Sequence, residues 1–166
     1  IDNSFVFSYN TEPEVILINA NGVLLADFDE TKTMQQYISQ LKYATTYGLK
    51  KQAIEALAKQ QDDKKAFNAI ANAMRDSFYK VRKLAIENIN LGNKFSKRAA
   101  IDKIKKTALD DENTLVRAAA IEVLGKLIDP QYLSIFQESL KSKSYSILGK
   151  TLVAIYYVDK DAAIKL

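Results

Sequence analysis

The sequence predicts a mostly α chain: an α-α superhelix, a solenoid of about four helix pairs, preceded by a short β segment. Three observations carry this. A tripeptide recurs at near-constant spacing, the apolar period is helical from residue 31 onward, and the first thirty residues differ from the rest in both charge and period.

The tripeptide is "AIE", at Ala53, Ala85 and Ala120, so the spacings are 32 and 35 residues. The surroundings align without gaps: "LKKQAIEAL", "VRKLAIENI" and "VRAAAIEVL", with "ILGKTLVAI" as a fourth, degenerate copy. One apolar column holds Leu49, Val81, Val116 and Ile147, and a second holds Leu57, Ile89, Leu124 and Ile155. The small residue between them is Ala53, Ala85, Ala120 or Thr151, which lets neighbouring helices approach closely. A further helix precedes each copy: "MQQYISQLKYA", "KAFNAIANAM", "AAIDKIKKTAL" and "QYLSIFQESL". One such pair cannot bury its apolar face, whereas stacked pairs share a continuous core. The alternative is an unrepetitive bundle with chance similarity, which three gapless matches at near-constant period disfavour.

In chain order, strands are expected over 4–9 ("SFVFSY"), 14–18 ("EVILI") and 23–28 ("VLLADF"). Asn21-Gly22 supplies a hairpin signal between the last two, because both residues tolerate positive φ. Three short strands are marginal alone and are expected to be the edge of a larger sheet or to pack on the helices. Helices are expected at 32–46, 49–60, 63–75, 78–91, 96–109, 113–128, 130–142 and 144–157, with a short last one at 160–166. Asp129 before Pro130 suits an N-cap followed by proline at the first helical position.

The domain division follows: residues 1–30 as a β-hairpin segment, residues 31–166 as the repeat domain. Residues 1–30 contain six acids (Asp2, Glu12, Glu14, Asp27, Asp29 and Glu30) and no base, whereas residues 31–166 contain 24 bases and 14 acids. A shift of this kind marks a boundary between modules. The chain opens on Ile1 and is read as a piece of a longer protein. No apolar run approaches the ~20 residues that span a membrane, so no membrane partner is expected. Compartment is left open: the absence of cysteine excludes disulfides but suits any redox environment. Histidine is also absent, so no Cys/His zinc site and no Ser-His or Cys-His nucleophile can be built from this chain alone. No catalytic, cofactor-binding or metal-ligating residue is assigned, and the chain by itself is expected not to be an enzyme.

The residues singled out are structural pairs. Arg82 and Arg117 each sit on the edge of an apolar helical face, six positions after Asp76 and Asp111. A turn carboxylate can accept backbone N–H groups and pair with a guanidinium, and an arginine on an apolar face needs such a partner. Each arginine is expected to reach its own aspartate or the equivalent one of an adjacent repeat, Arg117 pairing with a turn aspartate such as Asp111. The competing reading is contact with phosphate, nucleic acid or a peptide carboxylate. The basic stretch 93–106 holds Lys94, Lys97, Arg98, Lys103, Lys105 and Lys106 against Asp102. Its bases lie on several sides of the helix with few interleaved aromatics, so a solvated face is preferred to a nucleic-acid footprint. The nine tyrosines are read as packing rather than as a peptide-binding surface, and Asp62-Asp63 and Asp110-Asp111 as helix caps.

Two resemblances follow. "D-x4-VR-x-x-A-x-x-x-L" is similar to the second helix of HEAT repeats, met at Asp76, Val81-Arg82, Ala85 and Ile89 and again at Asp111, Val116-Arg117, Ala120 and Leu124. The first copy has Ala44 and Lys50 at the Asp and Arg positions and the fourth has Ser142 and Leu148, departures that suit terminal repeats. Over the whole chain, "PEVILINANGVLLADFDETKTMQQYISQLKYA" followed by "KKQAIEAL" resembles the junction of the β-sandwich and C-terminal helical domains of aminopeptidase N-type zinc peptidases. That resemblance implies zinc in an upstream catalytic domain, bearing H-E-x-x-H and G-x-M-E-N stretches that are missing here. It also implies that this region closes and shapes a substrate cavity, with the upstream domains as partners and peptide on the concave face. A HEAT protein-interaction module unrelated to peptidases is the alternative, and a HEAT-like DNA-binding module the third reading.

Overall fold

A computed structural model of the chain describes residues 6–23, 25, 30–92 and 97–164. Its helices are α1 (Met34–Tyr43), α2 (Tyr47–Ala58), α3 (Lys64–Ala73), α4 (Tyr79–Asn88), α5 (Lys97–Asp110), α6 (Thr114–Gly125), α7 (Leu133–Ser139), α8 (Tyr145–Val158) and α9 (Lys160–Ile164). A single turn of 3₁₀ helix, Pro130–Tyr132, leads into α7.

Local chemistry starts these helices where the sequence places them. Thr33 and Gln36 form a reciprocal capping box at α1, Gln36 N–H donating to Thr33 Oγ1 and Thr33 N–H to Gln36 Oε1. The Asp63 carboxylate accepts from Lys65 N–H at α3, and the Asn113 side chain accepts from Leu115 N–H at α6. The helix expected over 130–142 divides in two: Asp129 accepts Gln131 N–H, Pro130 takes the first helical position, and a tight 3₁₀ turn precedes α7.

The pairs are α1–α2, α3–α4, α5–α6 and α7–α8. In one layer α2, α4, α6 and α8 stack in sequence; in the other α1 packs on α3, and α5 on α7. The repeat columns form the seam between layers. Ala53, Ala85, Ala120 and Thr151 are fully buried, as are Val81, Val116, Ile147, Leu57 and Leu124. The Thr151 hydroxyl is satisfied by donating to the Ile147 carbonyl at 2.8 Å. One continuous apolar cluster runs from Ile54 in α2 to Ile155 in α8. Within the second layer α6 and α8 approach closely at Gly125, where a Cβ would come within 2.6 Å of Ala154 Cβ.

The β segment is the correction. Among the described residues of 1–30 there is no strand; 14–18, described in full, has a bend at Glu14, a turn at Ile18 and no strand between, and residues 4–5, 24 and 26–28 of the other two expected strands lie outside the described residues. The turn exists, with Gly22 N–H donating to the Asn19 carbonyl at 2.8 Å, but its positive φ values are at Asn19 and Gly22 rather than at the central Ala20 and Asn21. Positive φ at Gly22 after the two central residues is compatible with a hairpin loop, yet no ladder forms across it among the described residues.

Candidate functional site: an ion-pair ladder across the repeats

The four charged residues singled out in the sequence lie at the turns between helices, and α4 and α6 set their geometry. Val81 and Ala85 face the seam, so Arg82, next to Val81, points along the edge of α4 towards the following layer. It is 8% exposed. Its Nε donates to Asp111 Oδ2 and its Nη2 to Asp111 Oδ1, both at 2.9 Å, a bidentate pair. Nη2 also reaches Glu112 Oε1 at 3.1 Å. The remaining nitrogen, Nη1, donates to the carbonyls of Asp76 and Ser77, each at 3.0 Å. One guanidinium thus closes its own repeat's turn through backbone carbonyls and holds the next repeat's turn through a carboxylate.

Asp111 Oδ1 in addition accepts Asn113 N–H at 2.9 Å, which tightens the turn into α6. Burial pushes the Asp111 carboxyl upward, but the Arg82 hydrogen bonds, the Asn113 N–H and nearby Lys103 outweigh it and hold the group below the ordinary carboxylate range. The Arg82 guanidinium is raised above its usual value, chiefly by its bond to Asp111.

The same arrangement recurs one layer earlier with different chemistry. Asp76 Oδ1 accepts Phe78 N–H at 2.9 Å, and Asp76 Oδ2 accepts from Lys50 Nζ of α2 at 2.5 Å. Lys50 stands at the arginine position of the first copy. The rungs are therefore Lys50–Asp76 and Arg82–Asp111, each joining one repeat's second helix to the next repeat's turn.

Arg117 departs from the expectation. Asp111 is held by Arg82 of the preceding repeat, and Arg117 instead donates from Nε to the Ala108 carbonyl at 3.3 Å, with no ion pair among the described residues. The physical reason lies in the next turn: position 142 is serine, whose hydroxyl accepts Ser144 N–H, so the third layer has no carboxylate ahead of it. The ladder stops at two rungs.

Sequence reasoning missed a second set of charges. The glutamates of the three "AIE" copies lie on the outward side of α2, α4 and α6. Glu55 pairs with Lys51 at 3.7 Å, Glu87 with Lys83 at 2.6 Å, and Glu122 with Lys126 at 3.0 Å and with Lys150 of α8 at 2.6 Å. The hydrogen bond from Lys150, with help from Lys126 and against partial burial, lowers the Glu122 carboxyl below its ordinary range. The i, i+4 spacing of the first two pairs was present in the sequence.

The basic stretch does not form one surface. Lys94 and the Lys97 side chain lie outside the described residues. Lys103 and Lys106 border a depression shared with Arg82, Asp110 and Asp111, while Arg98 and Lys105 border another with Asp102 and Tyr132. The tyrosines are dispersed too: Tyr132 is buried, Tyr47 packs edge-on to Phe78, and Tyr145, Tyr156 and Tyr157 are exposed on α8. Asp63 is a helix cap. Among the described residues no three His, Cys, Asp or Glu side chains gather as a metal site.

Stacked helix pairs, a shared seam of small residues and charged rungs between consecutive turns define a helical-repeat scaffold of the α-α superhelix class. The family is HEAT: its repeat model matches residues 67–154, more than half of the 166-residue chain, and the chain belongs to the HEAT-repeat family. No match was found among curated proteins. HEAT repeats generally mediate contacts between proteins.

Proposed function

We propose that this scaffold is the non-catalytic C-terminal helical region of an aminopeptidase N-type zinc peptidase, where it covers and shapes the substrate cavity of an upstream catalytic domain. The observation that carries the reading is the acidic, apolar segment before α1. Its motif resembles that family's domain junction, and Ile16, Ile18, Val23 and Leu25 are exposed. Exposed apolar residues of strand-like sequence suit a strand whose sheet lies elsewhere. The segment stays beside the repeats, Ser39 Oγ donating to Glu14 Oε2 at 3.3 Å.

In this reading zinc and the peptide-bond chemistry belong to the upstream domain, and peptide would meet the inner face of the superhelix. The decisive observation is translation of the gene upstream of Ile1. H-E-x-x-H with a further downstream glutamate supports the reading, and an upstream region without it sinks the reading. The purified chain is expected to bind no stoichiometric zinc and to leave an aminoacyl anilide intact; hydrolysis by uncontaminated chain would count against the proposal. A HEAT interaction scaffold outside the peptidases is the second reading, favoured by the HEAT-repeat match over residues 67–154. DNA binding is the third. It requires measurable binding at low salt that weakens as salt rises, since phosphate contacts are electrostatic.

A further inference from the structure

Between α1 and α3 lies an open groove of about 330 Å³. Ile38 and Leu41 of α1 and Ala69 and Ala73 of α3 form its apolar floor, and Lys42 and Arg75, both exposed, stand at its rim. Lys42 is in the last turn of α1, and Arg75 is two residues past the end of α3. Asp76 is the one carboxylate lining the groove, and it is taken up by Lys50 Nζ and Phe78 N–H. Lys42 donates to the Tyr43 hydroxyl at 2.7 Å, a neutral partner, and the Arg75 guanidinium meets no carboxylate among the described residues. The other layer differs: on α2, α4, α6 and α8 the surface bases Lys51, Lys83, Lys126 and Lys150 all have glutamate partners. Two uncompensated positive charges beside an apolar floor complement a segment that carries carboxylates and an apolar anchor. The chain itself places such a segment on the other flank of α1. Glu12, Pro13 and Ile16 border a depression with Gln36, and Glu14 Oε2 accepts from Ser39 Oγ at 3.3 Å, one turn before Lys42.

We propose that the α1–α3 groove docks a short acidic segment of a partner protein, an apolar side chain entering between Leu41 and Ala69 while carboxylates pair with Arg75 and Lys42. The planar guanidinium suits a bidentate carboxylate. A phosphate chain would pair with the two cations and leave the apolar floor unused. A cation at a helix C-terminus also offsets the helix dipole; that role predicts lost stability on substitution, whereas docking predicts lost binding.

The inference is independent of any peptidase origin. Fluorescence anisotropy with a labelled hexapeptide, Asp-Glu-Leu-Leu-Glu-Asp, tests it, with amide NMR shifts locating the site. The expected result is saturable binding that weakens as salt rises, with shifts confined to the groove-lining parts of α1 and α3. Arg75→Glu should weaken binding by about tenfold or more, since it sets like charges together, with the melting temperature unchanged. Lys42→Glu should act in the same direction, and it decides the question should the Arg75 variant lose helix. No saturable binding at low salt overturns the proposal, and so does binding that both charge reversals leave intact. Equal binding of a peptide with alanine at both leucine positions overturns it too, because charge alone would then account for the contact.

Discussion

At the scale of the residue, the two arginines of the repeat motif are not equivalent. Arg82 has five side-chain hydrogen bonds and a nearly buried carboxylate, while Arg117 has one bond to a carbonyl. Removing one partner of a buried pair leaves the other charge uncompensated, so Arg82→Ala should cost about 3–5 kcal/mol. Arg117→Ala should cost about 1–2 kcal/mol and leave any ligand binding unchanged. Urea denaturation of both variants checks the order; equal losses would mean the ladder geometry is wrong. The carboxylates set the pH response. Asp111 and Glu122 are lowered by folding from ordinary values of about 3.9 and 4.3. Their contribution is present in full only above about pH 5, clear of the unfolded values, and is lost as pH falls through the lower folded values, since the unfolded chain binds more protons there. Thermal melts between neutral and strongly acidic pH should show this decline, with a shallower slope for Asp111→Asn. Ile128 is a third residue with a distinct prediction. It is exposed, β-branched and held at φ 51° in the turn after α6. Ile128→Gly relieves that left-handed conformation and should raise stability by about 1 kcal/mol, measured by the same denaturation.

At the scale of the element, two glycines in the layer formed by α2, α4, α6 and α8 have opposite roles. Gly125 lies where α6 and α8 touch, and a Cβ there would be 2.6 Å from Ala154 Cβ and 2.9 Å from its Cα. The obstacle includes backbone, so the helices must separate, and Gly125→Ala should destabilise by about 1–3 kcal/mol. Gly149 has open space around its Cβ position and sits mid-helix, so Gly149→Ala should stabilise the single chain by about 0.5–1 kcal/mol. Melting both variants at low protein concentration separates the effects. Much of the element pattern was legible from residue types alone. Thr33 with Gln36, Asp63, Asn113, and Asp129 with Pro130 all start helices where local chemistry says they should, because capping involves neighbours within three residues. The strand over 14–18 was not legible in the same way. Its β-branched, apolar sequence is a sound strand signal, but a ladder also needs a second strand to pair with, and the residues of the segment do not specify one.

At the scale of the whole molecule, each layer leans only on its neighbours, so stability is distributed along the stack rather than gathered at one centre. Amide exchange should therefore be slowest in α4 and α6, which are covered on both sides, and faster in α1 and α9 at the ends. Uniform protection along the chain would contradict the layered reading. The sequence by itself determined the repeat, its period, the seam residues and the order of helix pairs, because all of these follow from local periodicity and small residues at fixed spacing. Only the tertiary structure decided who pairs with whom across layers. Asp111 lies six residues before Arg117 yet binds Arg82, 29 positions earlier, because the turn it occupies is stacked on the end of the previous repeat's second helix. Tertiary structure also decided which sides of α8 meet α6 and α7, since an apolar helix face has the same sequence signature whichever neighbour covers it.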